Sequence, residues 1–185
     1  GGTIRTGCKA VNIAVEDSQV RKVVCQENGK RVELEADIVI SSMPLKELVE
    51  GMNGVPEDVR GVAEGLPYRD FVTVGVLVDR LNLQNKTTVK TLNNIIPDNW
   101  IYVQDTGVKL GRIQIFNNWS PYLVRDPEHT VWIGLEYFCT ENDRYWNMSR
   151  EEWLAFAARE LVGMHVLDSE QAVKDYHVEF VKKAY

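Results

Sequence analysis

The sequence predicts an α+β chain built on a mostly antiparallel, mixed β-sheet with about three helices. Residues 3 to 42 contain short apolar segments around the dipeptide Asn28-Gly29, a strong hairpin signal. The segment 71–78, FVTVGVLV, is the strongest predicted strand because it is rich in β-branched residues. Ser149 precedes Glu152 as in a helix capping box, and an apolar stripe at helical spacing follows. Together these patterns favour a sheet packed against helices.

The remaining elements follow from apolar periodicity and turn residues. The run Ala36 to Ile40 is apolar without alternation, which predicts a strand buried on both faces, as in a parallel sheet. Pro44 then begins a helix, because proline suits a first helical turn. Alternation elsewhere predicts further strands at 10–15, 20–25, 31–34, 99–104, 111–117, 130–138 and 176–181. Residues 56–65 are predicted to form a short helix and residues 80–94, which are polar and poorly patterned, a loop.

Composition excludes several classes of protein. With 185 residues, of which 44% are hydrophobic and 26% charged, the chain is long enough to build its own core. Its net charge of −6 argues against a nucleic-acid binder, which needs a basic face. No apolar run approaches the roughly 20 residues of a membrane span. The three cysteines are widely spaced and form no metal-binding pattern, which predicts free thiols and a cytoplasmic location.

The two ends of the sequence indicate a piece of a longer polypeptide. The chain begins Gly1-Gly2-Thr3 without an initiating Met, and residues 176–181 still alternate like a strand in progress. We expect the piece, residues 1–185, to form one structural unit.

The richest candidate site lies between residues 99 and 121. Trp100 and Tyr102 are two residues apart and would share one face of a strand, and Arg112 follows ten residues after Tyr102. Aromatic rings stack on planar groups, and arginine can hold a phosphate through two hydrogen bonds. This combination suits a nucleotide-type ligand. Aromatic residues at period two are also typical of an ordinary half-buried strand, so both interpretations stand at this point.

No complete catalytic constellation is present. The sequence has no Gly-x-Gly-x-x-Gly fingerprint, no phosphate-binding loop and no Gly-x-Ser-x-Gly turn. Its paired carboxylates fall in predicted turns and helix starts, where solvation and the helix dipole account for them. We therefore assign no catalytic and no metal-binding residue.

Two segments of the first 50 residues carry a resemblance to a known superfamily. GGTIRTGCKAVNIAVED, followed by ADIVISSMPLKEL, resembles the flavin amine oxidase and protoporphyrinogen oxidase superfamily. The resemblance implies that residues 1–44 belong to an FAD-binding domain and residues 45–185 to a substrate-binding domain. Val11 would lie against the adenine end of FAD and hydrogen-bond through its backbone. Ser42, Met43 and Pro44 would lie where the chain leaves the FAD domain.

A second set of motifs resembles the substrate domain of the UDP-galactopyranose mutase family. SSMPL, NWIY, the following arginine and FNNWSP are similar to motifs of its eukaryotic-type branch. The resemblance implies that Trp100 and Tyr102 line the nucleotide pocket and that Arg112 contacts the diphosphate. The chain departs from the family at residues 103–105, at 110–111 and at Trp119, positions that would shape the pocket for the sugar.

The resemblance implies a function for the parent protein and a limit for this chain. The parent would isomerise a UDP-sugar, UDP-galactopyranose to UDP-galactofuranose, with reduced FAD and no net redox change. This chain would supply the substrate lobe, its partner being the missing FAD domain of the same polypeptide. We therefore expect it to be inactive alone and to bind FAD weakly or not at all. Two alternatives stay open: a portion of a flavin-dependent amine oxidase, protoporphyrinogen oxidase or desaturase, and a non-catalytic binding domain.

Overall fold

The structure is a computed structural model that describes residues 2–184. Over this range the chain has four α-helices and eight strands, and every named pair of strands is antiparallel. The predicted α+β class is confirmed. The chain divides into two compact units, with the boundary between Pro67 and Tyr68. Within residues 2–184 no helix has both the length and the apolar character needed to cross a membrane.

The first unit is a three-stranded sheet with two short helices. Its strands pair in the order β1-β2-β3, and Asn28 and Gly29, both with positive φ, form the predicted turn between the second and third. Asn12 Nδ2 on the first strand donates to the carbonyl of Gly51 at 2.7 Å. The elements are β1 (Cys8–Glu16), β2 (Gln19–Glu27), β3 (Lys30–Glu35), α1 (Leu45–Gly51) and α2 (Glu57–Gly65).

The strand predicted at residues 36–40 does not form. The segment has no strand or helix assignment, and Ile38 and Ile40 are 82% and 94% exposed. A strand buried on both faces needs a sheet that continues beside it. The sheet of the first unit ends at β3, so this apolar run has no neighbouring strand in the described chain.

Both short helices belong to the first compact unit. α1 is bound to β1 through Asn12, and Asn53, just after α1, exchanges two hydrogen bonds of 2.6 and 2.7 Å with the backbone of Val15. The compact boundary at Pro67 therefore lies beyond the division predicted at residues 44 and 45. The assignment of the two parts to an FAD domain and a substrate domain remains a prediction.

The second unit is built on a five-stranded antiparallel sheet. Its strand order is β5-β6-β7-β4-β8, so β4 and β7 form the centre and β5 lies at one edge. The predicted strand at 111–117 ends early, because a helical turn begins at Phe116. The elements are β4 (Asp70–Val78), β5 (Trp100–Tyr102), β6 (Arg112–Ile115), α3 (Phe116–Trp119), β7 (Val131–Cys139), α4 (Arg150–Gly163) and β8 (Val173–Val181).

One face of this sheet forms the core. Helix α4 begins at the predicted capping box, in which Glu152 N donates to Ser149 Oγ at 3.1 Å and Ser149 N donates to the Glu152 carboxylate at 2.7 Å. Its Trp153 ring lies 4.8 Å from the ring of Tyr137 on β7. The fully buried side chains of this face and the helix include Val72, Val74, Val76, Ile133, Leu135, Tyr137, Trp153 and Leu161. The opposite face is therefore free to carry polar residues.

Truncating a core leucine of α4 should cost far more stability than the same change at the surface. Leu161 is 0% exposed and Leu123 is 59% exposed. We expect Leu161→Ala to lower the free energy of unfolding by about 2–5 kcal/mol, because it removes buried methyl groups and leaves a cavity. Leu123→Ala, the matched control, should change it by about 0.5 kcal/mol or less. Urea unfolding followed by circular dichroism measures both, and equal losses would contradict the assigned core.

Candidate ligand-binding face

The sheet face opposite the core brings the three predicted substrate residues together. The strand register places Tyr102 opposite Arg112 and Arg112 opposite Glu136, and it places Trp100 opposite Gln114. Residues two apart on a strand share a face, so all five side chains belong to one surface. We call this surface the open face.

Two exposed aromatic rings form the edge of the open face. The rings of Trp100 and Tyr102 are nearly parallel, with 5.9 Å between centroids and 15° between planes. Trp100 is 42% exposed and Tyr102 is 65% exposed. Neither ring is sealed in the core, so together they present a continuous aromatic surface on which a planar group could stack.

Arg112 lies beside these rings but is itself buried, at 5% exposure. Its guanidinium carbon is 4.7 Å from the ring centroid of Trp100 on one neighbouring strand and 4.9 Å from that of Phe138 on the other. The Tyr102 ring is 6.0 Å away. These distances fall in the range of cation–π attraction, which holds the guanidinium in place.

A buried carboxylate pairs with this arginine. Glu136 on β7 is 3% exposed and forms an ion pair with Arg112. Gln114 Nε2 donates a hydrogen bond of 2.5 Å to Glu136 Oε1. The centre of the open face therefore carries one positive and one negative charge in close contact. Sequence reasoning missed both Glu136 and Gln114, although a lone carboxylate inside the apolar run VWIGLEYF was a usable signal.

Glycines let aromatic rings lie directly against the backbone of the open face. A Cβ at Gly134 would be 2.9 Å from the Phe116 ring, and one at Gly75 would be 2.8 Å from the Trp132 ring. Both distances are shorter than van der Waals contact allows, so any larger residue would push the ring outward. The Phe116 and Trp132 rings therefore pack directly on the strand backbone at these two glycines.

Two side chains anchor the hairpin formed by β5 and β6. Ahead of β5, Asn118 Nδ2 donates to the carbonyls of Ile96 and Asp98 at 2.7 and 2.9 Å. Between the strands, the Glu160 carboxylate of α4 accepts hydrogen bonds from the amides of Lys109 and Leu110 at 2.6 and 3.1 Å. The edge strand that carries Trp100 and Tyr102 is thus fixed at both ends of the hairpin.

The neighbouring Asn117 has a structural role. Its side-chain Nδ2 donates to the carbonyl of Thr130 at 2.8 Å, and its Oδ1 accepts from the amide of Trp132 at 3.0 Å. The polar pair of the FNNWSP motif therefore satisfies backbone groups at the ends of the sheet.

Tyr137 lies on the core face, between Glu136 and Phe138 in the strand. Burial raises the pKa of its phenol well above the usual range, and the nearby Glu160 carboxylate adds to this effect. The neutral, protonated phenol is therefore the favoured form. Among residues 2–184, no group of three or more His, Cys, Asp and Glu side chains is placed to hold a metal ion.

The four predicted cofactor contacts lie in the first unit. Val11 is 44% exposed and falls at a register shift of β1, where Ala10 and Asn12 have partners on β2 and Val11 has none. Such a bulge leaves a backbone amide and carbonyl outside the ladder, the kind of group that could hydrogen-bond an adenine.

Ser42, Met43 and Pro44 precede α1 as an irregular segment. They are exposed or half-buried, and Met43 N donates to Ser41 Oγ at 3.2 Å. The carbonyl of Val11 lies near Gly51, at the C-terminal end of α1. The length of that helix, about 10 Å, separates it from residues 42–44. Val11 and this segment therefore flank α1 without converging on one point.

Solved structures with a similar fold come from proteins about three times as long. A reduced UDP-galactopyranose mutase superposes with a TM-score of 0.60 at 19% identity, over 99% of this chain and 36% of that chain. A protein from Exiguobacterium sp. 255-15, named as a candidate protoporphyrinogen oxidase, gives 0.54 at 12%, over 96% and 35%. The PF1083 protein from Pyrococcus furiosus gives 0.50 at 14%, over 93% and 36%.

These similarities concern the fold. The chain spans about a third of the length of the solved proteins it matches. No protein-family model and no curated protein sequence matches it. The fold is therefore similar to that of a portion of these proteins.

Removing the anchor ahead of β5 should destabilise the second unit. Asn118→Ala leaves the carbonyls of Ile96 and Asp98 without their donor, and we expect a loss of about 1–3 kcal/mol in the free energy of unfolding. Asn147→Ala is the matched control, because Asn147 makes a single 3.3 Å bond at an exposed turn. Its effect should be about 0.5 kcal/mol or less. Urea unfolding of both variants tests this, and indistinguishable stabilities would contradict the anchoring role.

Proposed function

We propose that this chain is the substrate-binding portion of an FAD-dependent enzyme similar to UDP-galactopyranose mutase. Its open face would take a UDP-sugar, with Trp100 and Tyr102 lining the nucleotide pocket and Arg112 contacting the diphosphate. The observation that carries the proposal is the placement of the guanidinium 4.7 Å from the centroid of an exposed ring that is parallel to a second one.

The aromatic pair supports a ligand with a flat ring. Exposed rings of this size are costly to leave in water and gain both burial and stacking when a base covers them. Stacking of a base on an aromatic side chain contributes about 1–3 kcal/mol. Stacking of a pyrimidine on this surface needs no specific hydrogen bonds. The rings therefore favour ligands with a flat ring as a class, and neighbouring groups would select among them.

Arg112 supports an anionic group attached to that ring. The guanidinium lies within one side-chain length of both aromatic rings, so a diphosphate linked to a stacked base would reach it. A planar guanidinium binds phosphate oxygens in pairs, which would fix the orientation of the attached sugar. Orientation is the contribution expected of this chain, because it brings reacting groups together in the right geometry.

The first unit supports a limited contact with FAD. The bulged Val11 offers backbone groups to the adenine, and Ser42, Met43 and Pro44 would lie where the chain enters the substrate domain. When bound, the reduced flavin supplies the chemistry of sugar isomerisation, and the residues of this chain bind and orient the substrate. The exposed Ile38 and Ile40 fit a segment that is covered by further sheet in a larger FAD domain.

UDP binding tests the proposed ligand class. Titration of the chain with UDP should quench tryptophan fluorescence, and Tyr102→Ala should weaken the affinity about fivefold or more because a stacking surface is lost. Tyr122→Ala is the matched control: Tyr122 is 97% exposed and lies outside the sheet, so its removal should leave the affinity unchanged.

Uridine serves as the comparison ligand in the same titration. It shares the base and lacks the phosphates, so it should bind more weakly than UDP. Equal affinities for UDP and uridine would contradict a role for Arg112 in diphosphate recognition. If Tyr102→Ala and Tyr122→Ala behaved alike, the ligand surface would be wrongly placed.

One observation favours a second candidate, a flavin-dependent oxidoreductase of the desaturase type. Because Glu136 already balances the charge of Arg112, the open face needs no anionic ligand to be electrostatically stable. A face of rings around a neutralised pair would suit an uncharged, apolar substrate such as a polyene. Binding of such a compound in preference to UDP would support this candidate, and binding of neither would leave a non-catalytic domain.

A further inference from the structure

The ion pair on the open face raises a question about ligand binding. Arg112 and Glu136 are 5% and 3% exposed, and they lie directly opposite each other on β6 and β7. A ligand phosphate and the Glu136 carboxylate are both anions that the guanidinium would bind through its N–H groups. The two anions therefore compete for the same donors.

We propose that Glu136 is a specificity-determining residue that acts as an internal competitor for the anionic group of the ligand. The inference rests on the proposed function and concerns the same site. In the free chain Glu136 is bound to Arg112, and in the complex the diphosphate replaces Glu136 at the guanidinium. Glu136 keeps a partner throughout, because Gln114 Nε2 donates to its Oε1 independently of Arg112.

This arrangement has a physical advantage for the free site. An unpaired guanidinium at this depth would be strongly unfavourable, and the carboxylate offsets that cost when no ligand is present. The same pairing lowers the net affinity for any anion, since binding must break it. A diphosphate, with more charge and more oxygens than a carboxylate, displaces Glu136 more readily than a singly charged ligand does.

The opposing view is that Glu136 only positions Arg112 for the ligand. The two roles predict opposite changes in UDP affinity when the pair is weakened. If Glu136 competes, loosening its hold on Arg112 raises the affinity for UDP. If Glu136 positions the guanidinium, the same change lowers that affinity. Uridine, which lacks the phosphates, reports on the aromatic surface alone in either case.

The test measures UDP and uridine dissociation constants for two variants of Glu136 in the 185-residue chain. Glu136→Gln removes the charge but keeps an amide oxygen for Gln114 and Arg112. Glu136→Asp keeps the charge and shortens the side chain by one methylene, so the buried pair stays balanced and the chain is expected to fold. We expect UDP affinity to rise about tenfold for Glu136→Gln and less for Glu136→Asp, with uridine affinity unchanged.

Glu179→Gln is the matched control. Glu179 lies in the same row of the open face, reached through Thr73 by the strand register, and is exposed. The substitution changes the net charge of the face equally without touching Arg112, so UDP affinity should change by about twofold or less.

Three results would overturn the proposal in distinguishable ways. A fall in UDP affinity for Glu136→Asp, with wild-type binding intact, would assign Glu136 a positioning role and leave the proposed function standing. Equal gains for the Glu136 and Glu179 variants would reduce the effect to net charge. UDP binding by none of the chains, wild type included, would remove the proposed function and this inference with it.

Discussion

The contact on which the candidate site depends is the buried ion pair between Arg112 and Glu136. Two charges with so little exposure are tolerated only when each has a partner and the surroundings hold them. Here the rings of Trp100 and Phe138 flank the guanidinium, and Gln114 binds the carboxylate. The arrangement of the aromatic surface and the charge of the open face both follow from this pair.

The pair in turn requires the strand register of the second unit. A slip of one residue between β6 and β7 would turn one of the two charged side chains into the apolar core, where it would have no partner. Core packing with α4 specifies that register from the opposite face, through the buried pairs Ile113–Leu135 and Ile115–Ile133 of β6 and β7. Glu160, on that same helix, also binds the loop between β5 and β6. The core and the open face are therefore coupled through one helix.

Much of the second unit could be predicted from residues alone. Alternation located its strands, the capping box located α4, and the spacing of Trp100, Tyr102 and Arg112 predicted that they would share a surface. Glu136 was not predicted as a site residue, because a strand pattern indicates which face a residue is on but not which distant residue lies opposite it. That pairing is set by register and by strand order, in which β7 joins β6 to β4.

The first unit shows more plainly that local sequence patterns do not determine every element of the fold. Residues 36–40 have the composition of a buried strand, yet Ile38 and Ile40 are exposed, because strand formation needs a neighbour that this sheet does not supply. Local patterns located the helices α1 and α2, but not the contacts that hold α1 to the sheet. The attachment of α1 to β1 depends on two asparagine side chains, Asn12 and Asn53, which hydrogen-bond backbone groups far away in the sequence.

From the fold and the open face we propose that a flat ring stacks on Trp100 and Tyr102 while its anionic group meets Arg112. A crystal structure of this chain with UDP bound tests it most directly. We predict that the pyrimidine lies within stacking distance of one of the two rings and that diphosphate oxygens lie within hydrogen-bond distance of the guanidinium. UDP bound away from these residues, or a ring stacked there with its phosphates directed away from Arg112, would contradict it.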